Sequence, residues 1–180
     1  FPVGVAIFLS LNTDVSIELP NNIETIVKIL KKQEKIAIDK DIESILRPFQ
    51  KEGLQWALSL YNTSLNGILA DDMGLGKTPT ILARIGAEPS EAPALVVAPP
   101  AVVGNWAAEA RRFTPNIRIL VHHGPSRASG ADLKSKIRSA DLVITTYGTA
   151  VRDIEELSNL HWDRVVLDEA QVIKNHRSAT

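Results

Sequence analysis

The sequence predicts an α/β fold with a mostly parallel central sheet and helices on both faces. Three observations predict it. From residue 67 onward, short β-branched apolar runs alternate with longer amphipathic stretches, the pattern of a parallel sheet buried on both sides. Each run ends in a polar or proline-bearing turn: Asp71, Pro99-Pro100, His122-His123-Gly124, Tyr147-Gly148 and Asp168-Glu169. Ligands of such sheets bind beyond the carboxyl ends of the strands. The first run, Gly67-Ile68-Leu69-Ala70, leads through Asp71-Asp72-Met73-Gly74-Leu75-Gly76-Lys77-Thr78 into a helix over 78–87. Strand, glycine-bearing turn and helix N-terminus together are the layout of a phosphate-binding loop.

Before that loop, Val5, Ile7, Leu9 and Leu11, then Val15, Ile17 and Leu19, alternate with polar or small residues. This period of two predicts two short strands turning at Asn12-Thr13-Asp14. Asn22 is placed to cap a helix with Ile23, Ile26, Val27, Ile29 and Leu30 on one face. Lys31, Lys32 and Lys35 cluster near its end, where cations are favoured in any case. Residues 1–44 are read as a small α+β appendage, the tail of an upstream accessory module, and 45–180 as one lobe. The chain starts at Phe1 and stops in mid-pattern at Thr180, and is read as a piece of a longer protein.

Leu46-Arg47-Pro48-Phe49-Gln50 opens a helix, since proline suits a first helical turn. Leu54, Ala57, Leu58 and Tyr61 recur on its inner face. In the loop, Gly74 and Gly76 let the backbone approach an anion with no Cβ in the way. Lys77 can reach the terminal phosphates of a nucleotide, and the Thr78 hydroxyl can ligate Mg²⁺. Asp71 stands where the generic loop has its first glycine. Further along, strands are expected at 94–98, 117–121, 142–146 and 164–168. Helices are expected at 102–113, with Trp106, Ala110 and Phe113 inward, and at 131–140 and 150–157. His122 and His123 are taken as strand-end residues rather than metal ligands.

The totals bound the rest. A length of 180 residues with 44% hydrophobic content suits one ordinary domain with a real core. The absence of cysteine excludes disulfides, thiolate metal sites and cysteine nucleophiles and fits an intracellular protein. The apolar runs fall short of the roughly 20 residues of a membrane helix. The net charge of −1 carries no global basic signal, so any nucleic-acid contact must be local.

Asp168-Glu169 follows the apolar strand Arg164-Val165-Val166-Leu167. An Asp there can hold Mg²⁺ through water, and the adjacent Glu can orient or deprotonate an attacking water. A divalent cation offsets the repulsion of two neighbouring carboxylates. With a phosphate loop upstream, the pair points to a nucleoside triphosphatase.

This set resembles helicase superfamily two, and within it the Swi/Snf family of double-stranded DNA translocases, over residues 46–180. The resemblance is carried by Leu46–Gln50, Asp71–Thr78, Ala98-Pro99-Pro100 with Asn105-Trp106 and Glu109, His123-Gly124 with Arg127, Thr145-Thr146-Tyr147, and Asp168-Glu169-Ala170-Gln171 followed by Ile173-Lys174-Asn175. Gln171 stands where many members carry His, which leans toward bacterial and archaeal members. The resemblance implies the first RecA-like, ATP-binding lobe of a motor whose ATP sits between two such lobes, here truncated at its C-terminus. It implies that Gln50 reads adenine and that Met73, Gly74, Leu75, Gly76, Lys77 and Thr78 hold phosphate. Thr78 and Asp168 serve Mg²⁺, Glu169 activates water, and Gln171 couples nucleotide state to lobe motion. Asn105, Arg127, Thr145 and Thr146 lie near the DNA backbone, as neutral hydroxyls and N–H groups grip phosphates without reading sequence. The implied partners are duplex DNA, the second lobe of the same chain and an unidentified DNA-bound protein. The implied setting is the cytoplasm, on the nucleoid in a prokaryote, or the nucleus of a eukaryote. Two other readings remain: a nucleic-acid-binding scaffold with a degenerate ATPase, and a P-loop kinase or small-molecule NTPase. Intact Lys77, Thr78, Asp168 and Glu169 argue against the first, and Lys174-Asn175 with Thr145-Thr146-Tyr147 against the second.

Overall fold

The computed structural model describes residues 40–61, 66–72, 74–87 and 90–173. The hairpin and helix expected before residue 40, and Met73, Lys174 and Asn175, lie outside them. The chain divides into two compact units, 1–80 and 81–180.

In the first unit, α1 spans Lys40–Ile45 and α2 spans Pro48–Tyr61. Pro48 opens α2, where its missing N–H costs no hydrogen bond. Leu54 and Leu58, one turn apart, are its fully buried side chains. The expected strand at 67–70 does not form: residues 66–70 carry no regular secondary structure, and Ile68 is 87% exposed. An apolar run is compatible with a strand, but only a neighbouring backbone with free N–H and C=O groups makes it one. The phosphate loop follows, and α3 (Lys77–Ala87) starts at its lysine.

The second unit holds a sheet of β1 (Ala94–Ala98), β2 (Ile119–His122), β3 (Leu142–Thr146) and β4 (Arg164–Leu167) in the order β2-β3-β1-β4. All three pairings are parallel, with Ala94 beside both Leu142 and Arg164, and Ile119 beside Leu142. The strands are linked by α4 (Val103–Phe113), α5 (Gly130–Arg138), α6 (Tyr147–Arg152) and α7 (Ile154–Ser158).

Alternate side chains of β1 and β3 feed two cores, as the period of two requires. Ala94, Val96, Ala98, Leu142 and Ile144 pack with Val103, Trp106, Ala107 and Ala110 of α4 and with Leu82 and Ile85. Leu95, Val97 and Val143 pack on the other face with Leu133 and Ile137 of α5 and with Tyr147 and Leu157. Each such aliphatic side chain contributes about 1.5–3 kcal/mol by leaving water. Helices therefore cover both faces, as expected. β4 differs from the expected buried run: it is an edge strand, with Val165 54% and Leu167 45% exposed. The helix expected over 150–157 is two short helices broken at Asp153. Among the described residues, no helix is long and apolar enough to cross a membrane.

Candidate functional site

The phosphate loop is built around two left-handed glycines, Gly74 (φ 85°) and Gly76 (φ 78°). Any side chain would be strained at either φ. A Cβ on Gly74 would meet open space, whereas one on Gly76 would run into Nε2 of Gln50. The loop thus presents bare backbone at Gly74 and packs closely at Gly76.

Gln50 is 7% exposed. Its Nε2 donates to the Leu75 and Gly76 carbonyls, both at 3.1 Å, and its Oε1 accepts from the Arg47 N–H at 2.9 Å. The amide expected at the adenine thus has both polar ends engaged within the protein. Its Nε2 braces the phosphate loop, while its Oε1 holds the Arg47 N–H just before its own helix. The Lys77 ammonium donates to the carbonyls of Asp71 (2.7 Å) and Asp72 (3.2 Å). It folds over its own loop on a half-buried stem. Thr78 sits half-buried in the first turn of α3. An ammonium, a hydroxyl, first-turn N–H groups and a bare glycine form a donor set that fits a polyphosphate and its Mg²⁺.

In the second unit, the carboxyl end of β4 carries Asp168 and Glu169. The Asp168 N–H extends the ladder to the Val97 carbonyl at 2.9 Å. Its Oδ2 accepts from the Trp106 indole at 2.8 Å, and its carbonyl accepts from the Tyr147 hydroxyl at 2.8 Å. Glu169 adopts a left-handed φ of 50°, a conformation that is uncommon for non-glycine residues and clusters at functional sites. Gln171 donates from Nε2 to Glu169 Oε2. Both side chains are exposed, and their mutual bond places Gln171 beside the carboxylate read as activating water. Glu109 of α4 has a buried Oε2 without a hydrogen-bond partner. Burial pushes its carboxyl up, against the opposing pull of Arg112.

At the carboxyl ends of β2 and β3, Asp153 organises a charged cluster that the sequence did not reveal. Arg127 grips it with both prongs, Nε to Oδ2 and Nη2 to Oδ1 at 2.7 Å each, and His122 Nε2 lies 2.7 Å from Oδ2. His122 is fully buried and Asp153 nearly so. Arg127, expected at the DNA backbone, is thus held by a carboxylate. Thr145 and Thr146 are buried. Thr145 Oγ1 donates to the His122 carbonyl at 2.8 Å, and Thr146 Oγ1 caps α6 by accepting from the Thr149 N–H at 3.2 Å. The direct hydroxyl contacts expected of these threonines give way to bonds inside the protein, because buried hydroxyls must find partners. Asn105 alone of the four candidate DNA contacts is exposed, in the first turn of α4. Among the described residues no three His, Asp or Glu side chains gather as a metal cluster. A shallow cavity of about 250 Å³ lies at the opposite ends of the strands. Its two acids, Asp141 and Asp163, are already bonded to Arg118 and Arg164.

The Arg127 hydrogen bond, aided by His122 and opposed by burial, lowers the Asp153 carboxyl to about 2. A folded value below the unfolded one adds stability that is complete above the ordinary carboxylate range. That stability is lost as pH falls through the folded value. The chain is expected to lose about 2 kcal/mol from this group between about pH 4 and pH 2. Denaturant midpoints across that window, compared with those of Asp153→Asn, check it: the variant should lack this part of the acid loss.

Residues 49–180 match the family model of the SNF2-related domain. The Bacillus subtilis (strain 168) protein YwqA, whose name is that of an ATP-dependent helicase/translocase, is 36% identical over 168 residues. The match covers 89% of this chain and 18% of that protein. The ISWI chromatin-remodeling complex ATPase ISW2 of Saccharomyces cerevisiae is 39% identical over 140 residues, covering 74% of this chain and 12% of that one. Among solved structures, the Sulfolobus solfataricus SWI2/SNF2 ATPase core in complex with dsDNA superposes with a TM-score of 0.68 at 34% identity. That superposition covers 79% of this chain and 30% of the other. The chain thus spans less than a fifth of these two relatives, and the parallel sheet is the RecA-like fold of the SWI2/SNF2 core. With the family model covering the phosphate loop, the whole sheet and the carboxylate turn, the chain belongs to the SNF2 family of helicase superfamily two.

Proposed function

We propose that this chain is the ATP-binding part of a DNA-dependent ATPase that moves along duplex DNA and remodels or displaces proteins bound there. The observation that carries the reading is the phosphate loop: two left-handed glycines, braced by Gln50, immediately before Lys77 and Thr78. Lys77 swings from the Asp71 and Asp72 carbonyls to the phosphates, and the bare backbone at Gly74 receives them without steric hindrance. Thr78 and Asp168 are the residues that would hold Mg²⁺. That ion, when bound, neutralises charge developing on the transferred phosphoryl group. Glu169 accepts a proton from the attacking water, and Gln171 holds Glu169 in place.

The duplex substrate is supported by the dsDNA complex of the Sulfolobus relative, and the remodelling reading by the name of the Saccharomyces one. Asn105 supplies an exposed side chain for a phosphate. A second lobe, with its own arginine, completes the hydrolytic site, and such an arginine is worth about 10³–10⁵ in rate in related NTPases. The 180-residue chain alone is therefore nearly inactive as a hydrolase. A motor of this kind works where the chromosome is: in the cytoplasm on the nucleoid of a prokaryote, or in a nucleus.

The test is ATP hydrolysis by the full-length protein with no DNA, single-stranded DNA and duplex DNA. Strong stimulation by duplex is the expected result. Equal rates in all three conditions would remove the DNA motor and bring forward an NTPase acting on something else.

A further inference from the structure

We propose that Trp106 and Tyr147 are positioning residues for the Asp168 carboxylate, setting the oxygen that meets Mg²⁺. The proposal rests on the reading of Asp168 as the Mg²⁺ carboxylate. Trp106 is 4% exposed, packed by its ring into the core between α4 and the sheet. A buried indole N–H requires an acceptor, and it finds Asp168 Oδ2 at 2.8 Å, 62 residues away in the chain. An indole N–H on a carboxylate oxygen makes a stronger bond than a neutral pair. With Oδ2 taken by the indole, Oδ1 is the oxygen available to a cation or its water.

Tyr147 acts on the same residue from the main-chain side. Its hydroxyl donates to the Asp168 carbonyl at 2.8 Å, while the Asp168 N–H is tied to Val97. The backbone of Asp168 is therefore pinned at both its N–H and its C=O, just before Glu169 turns into its left-handed conformation. Two aromatic side chains from different helices thus hold one residue, the indole at its carboxylate and the phenol at its carbonyl, while β1 holds its N–H.

The test uses the full-length protein and the Mg²⁺ dependence of binding of a fluorescent ATP analogue, with thermal midpoints measured alongside. Trp106→Phe keeps a buried ring and removes the indole N–H; Tyr147→Phe removes one hydroxyl. Each is expected to raise the half-saturating Mg²⁺ by about tenfold, the scale on which partners that orient metal ligands act. Asp168→Asn alone should raise it at least as far, and adding Trp106→Phe to it should add nothing. The tyrosine variant keeps the proposal testable where the tryptophan variant unfolds. Unchanged Mg²⁺ half-saturation in both single variants, with Asp168→Asn shifted, overturns the positioning roles. If Asp168→Asn itself leaves Mg²⁺ dependence unchanged, the assignment of Asp168 to the ion fails, and the proposal falls with it.

Discussion

Glu169→Gln in the full-length protein is expected to reduce duplex-stimulated ATP hydrolysis by about 10²–10⁴-fold, the usual contribution of a positioned general base, while ATP still binds. The amide keeps the shape of the carboxylate and its place after β4, but it cannot take a proton from water. The side chain is exposed and bonded to Gln171 Nε2, so the exchange leaves no buried charge and should not disturb folding. Lys77→Ala provides the contrast. Its ammonium is the cation of the phosphate loop, and its loss should abolish hydrolysis by removing nucleotide binding. Equilibrium binding of a fluorescent ATP analogue separates the two variants: the glutamine variant binds and stalls, the alanine variant does not bind. A glutamine variant that hydrolyses ATP at the parent rate would show that Glu169 is not the base.

Asp153→Ala is expected to destabilise the fold by about 3 kcal/mol or more, the cost of breaking a buried charge pair on one side. The substitution strips the two carboxylate hydrogen bonds from Arg127 and leaves Nε2 of the buried His122 without its carboxylate. Asp132→Ala serves as the control. Its ion pair with Lys136 joins two exposed side chains one turn apart, and its loss should cost less than about 0.5 kcal/mol. Denaturant unfolding reads both as shifts in midpoint at constant slope. A loss at Asp153 no larger than that at Asp132 would mean that the cluster does not hold the ends of β2 and β3 together. The same cluster governs Arg127: an arginine clamped by two short bonds reaches a phosphate only by leaving Asp153.

The acid window of Asp153 and the Mg²⁺ dependence set by Trp106 and Tyr147 rest on the same physical feature. In both, a carboxylate beside the carboxyl ends of the strands is held by donors from elsewhere in the chain. These are the interactions that a linear reading does not reach.

The sequence by itself determined the parallel sheet. β1 and β3 begin and end at the residues expected of them, because a continuous β-branched run bounded by breakers can be buried on both faces in few other ways. It also determined the phosphate loop, since glycines at left-handed positions just before a lysine and a helix leave a local signature. Only the tertiary structure decided what depends on a partner distant in the chain. Ile68 lies exposed in irregular backbone despite its strand-like neighbours. Gln50 braces a loop 25 residues away, and Asp153 joins His122 and Arg127. The Thr145 and Thr146 hydroxyls turn inward, and Asp168 is fixed by an indole from α4 and a phenol from α6. Periodicity and motif spacing report which face a residue prefers. A hydrogen bond is short-ranged and directional, so its partner is set only when the chain has brought two distant segments within 3 Å or so of each other.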